Sequence, residues 1–299
     1  MAAPAIPIGG PATVDRRASR GLWGDAARRL LRNKPALLGV AFIFLFVVAA
    51  VFAPILAPYG PLEGGLAQRL EPPSSAHVMG TDSQGRDEYS RVLYGAQVSL
   101  LAGVASVVMG VAIGGTIGAL AGGVGGKLDS VLMRFVDVLL AVPGILLAIG
   151  IVAFLGRGLP QIMFAVAVVN VPIFARILRG SLLSLRESDY ITAARSLGAS
   201  GSRILLRHLL PNSLSPLIVA ATLALATAII DVAGLGFLGL GPPDPRTPEW
   251  GTMLTDSTKF IRQAPWLLLF PGAAIVVSAV GFNLLGDGLR ESLDPRMRR

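Results

Sequence analysis

The stretch GVAIGGTIGALAGGVGG, Gly110–Gly126, has glycine at every fourth position: Gly110, Gly114, Gly118, Gly122 and Gly126. Residues four apart lie on the same face of an α-helix, so this face would carry almost no side chains. The backbone of a second helix can approach such a face closely, as in the small-xxx-small pattern of membrane helices. The stretch closes an uncharged run that starts at Val92, and it predicts a membrane helix near 96–122 packed tightly on a neighbour.

The composition also indicates a membrane protein. Of the 299 residues, 53% are hydrophobic and 15% are charged, whereas a soluble domain averages about 25% charged residues. An uncharged run of 18 or more residues is a candidate spanning helix. The chain has six such runs: Ala36–Leu56, Val92–Gly126, Val138–Gly156, Gly158–Ala175, Leu209–Ile230 and Gln263–Gly286. Because backbone groups in hydrocarbon must be paired internally, we predict an all-α membrane protein with six transmembrane helices.

The distribution of positive charge predicts the orientation. The net charge is +8, and alternate segments between the runs hold 19 basic residues on one side and 7 on the other. Cytoplasmic loops carry the excess of Lys and Arg, so both termini are predicted to be cytoplasmic. This alternation argues against a nucleic-acid partner. The chain has no cysteine, which excludes disulfides and thiolate metal sites.

These runs divide the chain into five segments. The predicted order is a basic cytoplasmic N-terminal segment 1–35, a first transmembrane helix 36–57, an external loop 58–94, a five-helix core 95–288 and a cytoplasmic tail 289–299. Within the first segment, residues 22–34 form either a plain positive anchor or a helix lying among the lipid headgroups. The core includes a cytoplasmic loop 184–212 and an external loop 236–265.

The external loop contains a dense polar motif, made by Gly80, Thr81, Asp82, Gly85, Arg86 and Asp87. Asp82 and Asp87 can cap local turns and pair with Arg86 or Arg91, which would fold the loop on itself. A metal site that adds His77 and Glu88 is the alternative. The arginines interleaved with these carboxylates argue against it, so we predict no metal.

Polar side chains inside the apolar runs are candidates for a translocation path, since they are costly in hydrocarbon. They are Asn170, Asp231 and Asn283. For the two asparagines, a hydrogen bond between helices is an equally good interpretation.

The loop between the fourth and fifth runs contains YITAARSLG, Tyr190–Gly198, and RILLRHLLPN, Arg203–Asn212. Ser188 or Asp189 can cap a first short helix that ends at Gly198. Ser200 or Ser202 can cap a second helix, and Pro211 is expected to end it. The result would be two short helices with an exposed tip of small residues. This tip suits docking into a partner, although an amphipathic connector on lipid headgroups remains the alternative.

The spacing of this loop resembles the EAA motif, the coupling helix of ABC-importer permeases. The matching residues are Thr192, Ala193 and Ala194, followed by Gly198, Leu210 and Pro211, while Thr192 replaces the motif's Glu and His208 a hydrophobic residue. The resemblance implies contact with an ATPase subunit. It assigns that contact to Thr192, Ala193, Ala194, Arg195, Gly198, Arg203, Leu210 and Pro211.

More narrowly, residues 36–296 resemble the DppC/OppC type of permease subunit from dipeptide, oligopeptide or nickel ABC importers. The matching stretches are GTDSQGRD (80–87), AARSLGA (193–199), RHLLPN (207–212), FLGLG (237–241) and FNLLGDGLR (282–290). The resemblance implies a type I ABC importer permease fold in the bacterial cytoplasmic membrane. It implies a permease and not an enzyme, with no cofactor of its own, since ATP and Mg²⁺ bind the partner subunits.

The resemblance also implies the partners: a homologous DppB/OppB-type permease, two cytoplasmic ATPases, an extracytoplasmic binding protein and a short-peptide substrate. Nickel or another small solute is an alternative substrate. An ion-coupled secondary transporter is a further alternative, but it requires ionisable groups within the spans, and only Asp231 comes close to this requirement.

Overall fold

The computed structural model of the chain describes residues 22–244 and 247–293. The predictions made for residues 1–21 and for the end of the tail, residues 294–299, lie outside the described residues. Within the described ranges, the regular structure is helical. Its helices are α1 (Leu22–Leu30), α2 (Lys34–Val51), α3 (Ala53–Leu56), α4 (Glu88–Val124), α5 (Gly126–Leu140), α6 (Gly144–Leu155), α7 (Leu159–Arg186), α8 (Asp189–Ser196), α9 (Gly201–Ile204), α10 (Leu210–Leu235), α11 (Trp250–Ser257) and α12 (Trp266–Leu293).

In the described part of the chain, five helical segments are long and apolar enough to cross a membrane: α2, α4, α7, α12 and the continuous segment Gly201–Leu240, which contains α10. The pair α5 and α6 makes a sixth candidate span, bent by 92° between the two helices. The predicted all-α membrane architecture is therefore confirmed. The sixth span, however, is a broken one.

Two predicted spans were wrong in extent or shape. The predicted helix 96–122 is too short, because α4 already begins at Glu88, where the Asp87 side chain accepts a hydrogen bond from the Ser90 N–H. The third run, Val138–Gly156, does not form one helix. Its helical path breaks just before α6, where Pro143 takes an extended conformation.

The glycine face of α4 packs along α7, as the sequence predicts. A Cβ atom added at Gly114 would lie 2.5 Å from the Val171 carbonyl oxygen, and one at Gly118 would lie 2.5 Å from that of Ala175. Such distances leave no room for a side chain. Gly126 does not belong to this face, because it has a φ of +64° and begins α5 after the turn at α4's end.

The first and last spans pack together at a second close approach. A Cβ atom at Gly39 of α2 would lie 2.7 Å from the Gly281 carbonyl oxygen of α12. At the end of this pair, the Asn33 side-chain amide donates a hydrogen bond to Glu291 at 2.7 Å and its oxygen caps α2. Together these contacts fix the N-terminal span against the end of α12.

Candidate functional site

The loop between α7 and α10 begins with the predicted short helix, α8. Gly198 follows this helix with a φ of +82°. The Ala199 N–H bonds the Ala194 carbonyl and the Gly198 N–H bonds that of Arg195, the pair of bonds that defines a Schellman helix end. The prediction that Gly198 ends the first helix is confirmed. The predicted side-chain cap is absent, since the Ser188 hydroxyl donates to the Leu185 carbonyl instead.

The tip of this loop presents an exposed surface on a fixed base. Thr192, Ala193 and Arg195 are exposed, and the Leu197 side chain is 89% exposed. In contrast, Ile191 is fully buried and holds α8 against the protein. The tip is therefore accessible from outside the chain, while its base is packed against the protein.

The second half of the loop differs from the prediction. α9 is followed by a π-helical turn, Leu205–Leu209, which leads directly into α10. Pro211 therefore does not end a helix: it lies just after the π-helical turn, inside the continuous helical segment Gly201–Leu240. Leu210 begins α10 within this segment, and Arg203 lies exposed on α9. The loop is thus joined to α10 without a break.

The external motif folds on itself as predicted. The Asp82 carboxylate accepts hydrogen bonds from the backbone N–H groups of Gln84 and Arg86 and from the Arg86 guanidinium, the last at 2.6 Å. The Thr81 hydroxyl donates to the Gln68 carbonyl. Asp87 caps α4 and contacts His77 at 2.9 Å.

The two motif glycines have backbone roles. Gly80 and Gly85 have φ values of +76° and +73°, and each lies against another segment of the chain. Non-glycine residues rarely adopt such angles. Among the described residues no group of three or more metal-ligating side chains is placed to hold an ion.

Glu88, beside this motif, is buried at the N-terminal end of α4. Its side chain is 2% exposed, and its Oε1 atom has no hydrogen-bond partner within the described residues.

A second buried carboxylate, that of Glu249, anchors α11. The sequence alone did not predict this contact. Glu249 accepts hydrogen bonds from the N–H groups of Gly251 and Thr252 at the start of this helix. Trp250 next to it donates from its backbone N–H to the Ser99 hydroxyl and from its ring to the Val92 carbonyl, both at 3.1 Å. Burial raises the pKa of Glu249 to about 7. The predicted external loop 236–265 is therefore fastened to α4.

The three polar residues predicted for a translocation path lie in different surroundings. Asn170 is 4% exposed, and its amide donates to the Val166 carbonyl one turn earlier in α7. Asp231 is partly buried and lines a small cavity with Gly144 of α6. Asn283 is exposed on α12. Their role in transport stays a prediction.

An open cavity of about 820 Å³ lies between the ends of α7, α10 and α12. These are the ends of α7 and α10 that the loop joins. Two arginines line the cavity: Arg176, which pairs with Asp137 at 2.7 Å, and Arg290. No local sequence pattern reveals this cavity, because its walls come from three distant segments of the chain.

Comparison with known proteins defines the class. The model of the family "Binding-protein-dependent transport system inner membrane component" matches residues 114–299. A second family model, "N-terminal TM domain of oligopeptide transport permease C", matches residues 21–73. The chain belongs to the first family, and it is a multi-pass permease subunit of an ABC importer in the bacterial plasma membrane, not an enzyme.

Individual relatives are also permease proteins of transport systems. The chain is 46% identical over 288 residues to the dipeptide transport system permease protein DppC of Alkalihalophilus pseudofirmus, covering 96% of this chain and 94% of the relative. It is 44% identical over 277 residues to the glutathione transport system permease protein GsiD of Pectobacterium atrosepticum, covering 92% of each.

A solved structure shows the same fold. An inward-facing structure of the MetNI methionine ABC transporter aligns with a TM-score of 0.58 at 22% identity, covering 68% of this chain and 96% of that chain. The predicted ABC-importer permease fold is thereby confirmed.

Proposed function

We propose that the chain carries short peptides, such as dipeptides or glutathione, across the plasma membrane as one of two permeases in an ATP-driven importer. The observation that carries this substrate class is the identity of 44–46% to permeases named for dipeptide and glutathione transport, over more than nine-tenths of the chain. The family description adds that a binding protein takes part in transport.

In this proposal, the partners are a homologous DppB/OppB-type permease, two ATPase subunits that bind ATP and Mg²⁺, and an extracytoplasmic binding protein. The termini and the loop 184–212 face the cytoplasm, in keeping with the excess of Lys and Arg on that side. The N-terminal segment and the tail are then cytoplasmic, the first span is α2, the core runs from α4 to α12, and the segments between α3 and α4 and between α10 and α12 are external.

The ATPase contact is assigned to the tip of the loop, Thr192–Gly198, with Arg203 beside it. The exposure of Leu197 and Ala193 and the Schellman end at Gly198 support this assignment. The continuous helix from α9 through Leu210 and Pro211 into α10 gives the loop a rigid link to a span. Displacement of the tip by an ATPase would therefore move α10 directly.

Two charge substitutions on α8 test this coupling. Ala194→Glu places a carboxylate at a partly buried position. Thr192→Glu, two residues earlier on an exposed position, adds the same charge where the EAA motif has its own Glu. The measurement is ATP-driven uptake of dialanine and reduced glutathione by proteoliposomes containing the full importer, with the membrane level of the permease measured in parallel.

We expect Ala194→Glu to be inserted normally and to lose most uptake, while Thr192→Glu keeps it. Normal peptide uptake by the Ala194→Glu importer would refute the assignment of the ATPase contact to this loop. Failure of the unsubstituted importer to take up either peptide, with uptake of nickel or another solute instead, would overturn the peptide assignment.

A further inference from the structure

The cavity between α7, α10 and α12 has a mainly apolar wall that also carries two positively charged side chains. Apart from Arg176 and Arg290, its described lining contains no charged residue. Neutral hydrogen-bonding side chains line the rest of its polar surface, and apolar side chains from all three helices complete the wall. The neutral polar residues are Ser181, Ser184, Asn212 and Ser215. The lining therefore carries positive charge without a carboxylate of its own.

The two arginines differ in what they bind within the chain. One nitrogen of the Arg176 guanidinium contacts Asp137, and both side chains are about half exposed, so this pair is weak. Arg290 is exposed and forms no ion pair in the described part of the chain. A guanidinium group offers a planar fork of N–H donors that matches a carboxylate. Arg290 is therefore the better-placed donor for an incoming anion.

The position of the cavity links it to the loop that contacts the ATPase. The wall residues Gly180–Leu185 belong to the last turns of α7, and Asn212–Leu223 to the first turns of α10. The loop joins these two ends. A movement of the loop that separated α7 from α10 would therefore widen the cavity.

We propose that this cavity is an exit site that binds the free C-terminal carboxylate of the transported peptide, with Arg290 as the main contact and Arg176 as a second. The proposal rests on the peptide function given above. A volume of about 820 Å³ falls in the range of sites for small ligands, and it accommodates a dipeptide or glutathione. Release into the cytoplasm would follow when the loop moves and the walls separate.

The test measures peptide binding to the importer of both permeases and both ATPases, without the binding protein, in nanodiscs of phosphatidylcholine. The probes are dialanine, reduced glutathione and dialanine amide, which lacks the carboxylate. The variants are Arg290→Gln and the control Arg134→Gln, an exposed arginine of α5 outside the cavity lining. Uptake by unsubstituted proteoliposomes is measured separately.

We expect Arg290→Gln to weaken dialanine and glutathione binding about tenfold or more, since a hydrogen bond to a charged group contributes about 1.5–3 kcal/mol. The unsubstituted importer should bind dialanine amide about tenfold more weakly than dialanine. The Arg290→Gln variant should bind the two probes almost equally. Arg134→Gln should bind normally.

Equal binding by Arg290→Gln and the unsubstituted importer would overturn the exit site, while intact ATP-driven uptake of the peptides would leave the proposed function standing. Nanodiscs that contain phosphatidylglycerol test a lipid occupant. Loss of bound phosphatidylglycerol in Arg290→Gln, without a change in peptide binding, would assign the cavity to an anionic lipid instead.

Discussion

Replacing Gly114 with alanine adds one methyl group to the tightest part of the contact between α4 and α7. The new Cβ would lie 2.5 Å from the Val171 carbonyl oxygen and 3.0 Å from the Phe174 Cβ. Both neighbours belong to the packed helix α7, so neither can move without shifting the helix. Overpacking of this kind costs about 1–3 kcal/mol.

The adjacent residue provides a matched control. A Cβ atom at Gly115 would have its nearest neighbours at 3.8 Å and 4.0 Å, the ends of the leucine side chains Leu178 and Leu217. These are ordinary contact distances. Both substitutions gain the same helix propensity, up to about 1 kcal/mol for Gly→Ala. The difference between the two variants therefore isolates the clash, and we expect it to be about 1–3 kcal/mol.

The assay is thermal unfolding of each purified variant in the same mild detergent, followed by tryptophan fluorescence. One kcal/mol shifts Tm by roughly 2–4 °C in soluble domains of 150–250 residues, so Gly114→Ala should unfold on the order of 5 °C below Gly115→Ala. Gly115→Ala should unfold at or slightly above the temperature of the unsubstituted protein. Equal values for the two variants would refute the close packing of α4 on α7.

Two further outcomes are expected from single residues. Glu249→Ala removes the cap of α11 and should cost about 0.5–2 kcal/mol, seen as faster proteolysis of residues 236–265 than in Glu187→Ala, an exposed control. Gly198→Ala places a side chain at a φ of +82° and should destabilise the loop by about 1 kcal/mol, which hydrogen exchange of α8 would detect; exchange as slow as in the unsubstituted protein would argue against the strained turn.

The sequence by itself determined the features that depend on neighbouring residues. Uncharged runs located the spans because a spanning helix requires about 20 consecutive, mostly apolar residues. Glycine at every fourth position predicted the face of α4 that contacts a neighbour, and Gly198 predicted the end of α8. Each inference required a period or a single backbone preference, and each agrees with the structure except at the bent third span and at Gly126.

The tertiary structure decided the features that depend on distant residues. The bend before α6, the passage of the helix through the π-helical turn to Pro211 and the burial of Glu88 all require contacts that no local pattern contains. The cavity with Arg176 and Arg290 exists only where the ends of three helices meet. A proline or an arginine has the same neighbours in sequence whether it ends a helix, lies within one or lines a cavity. The packing of α7, α10 and α12 decides which of these it does.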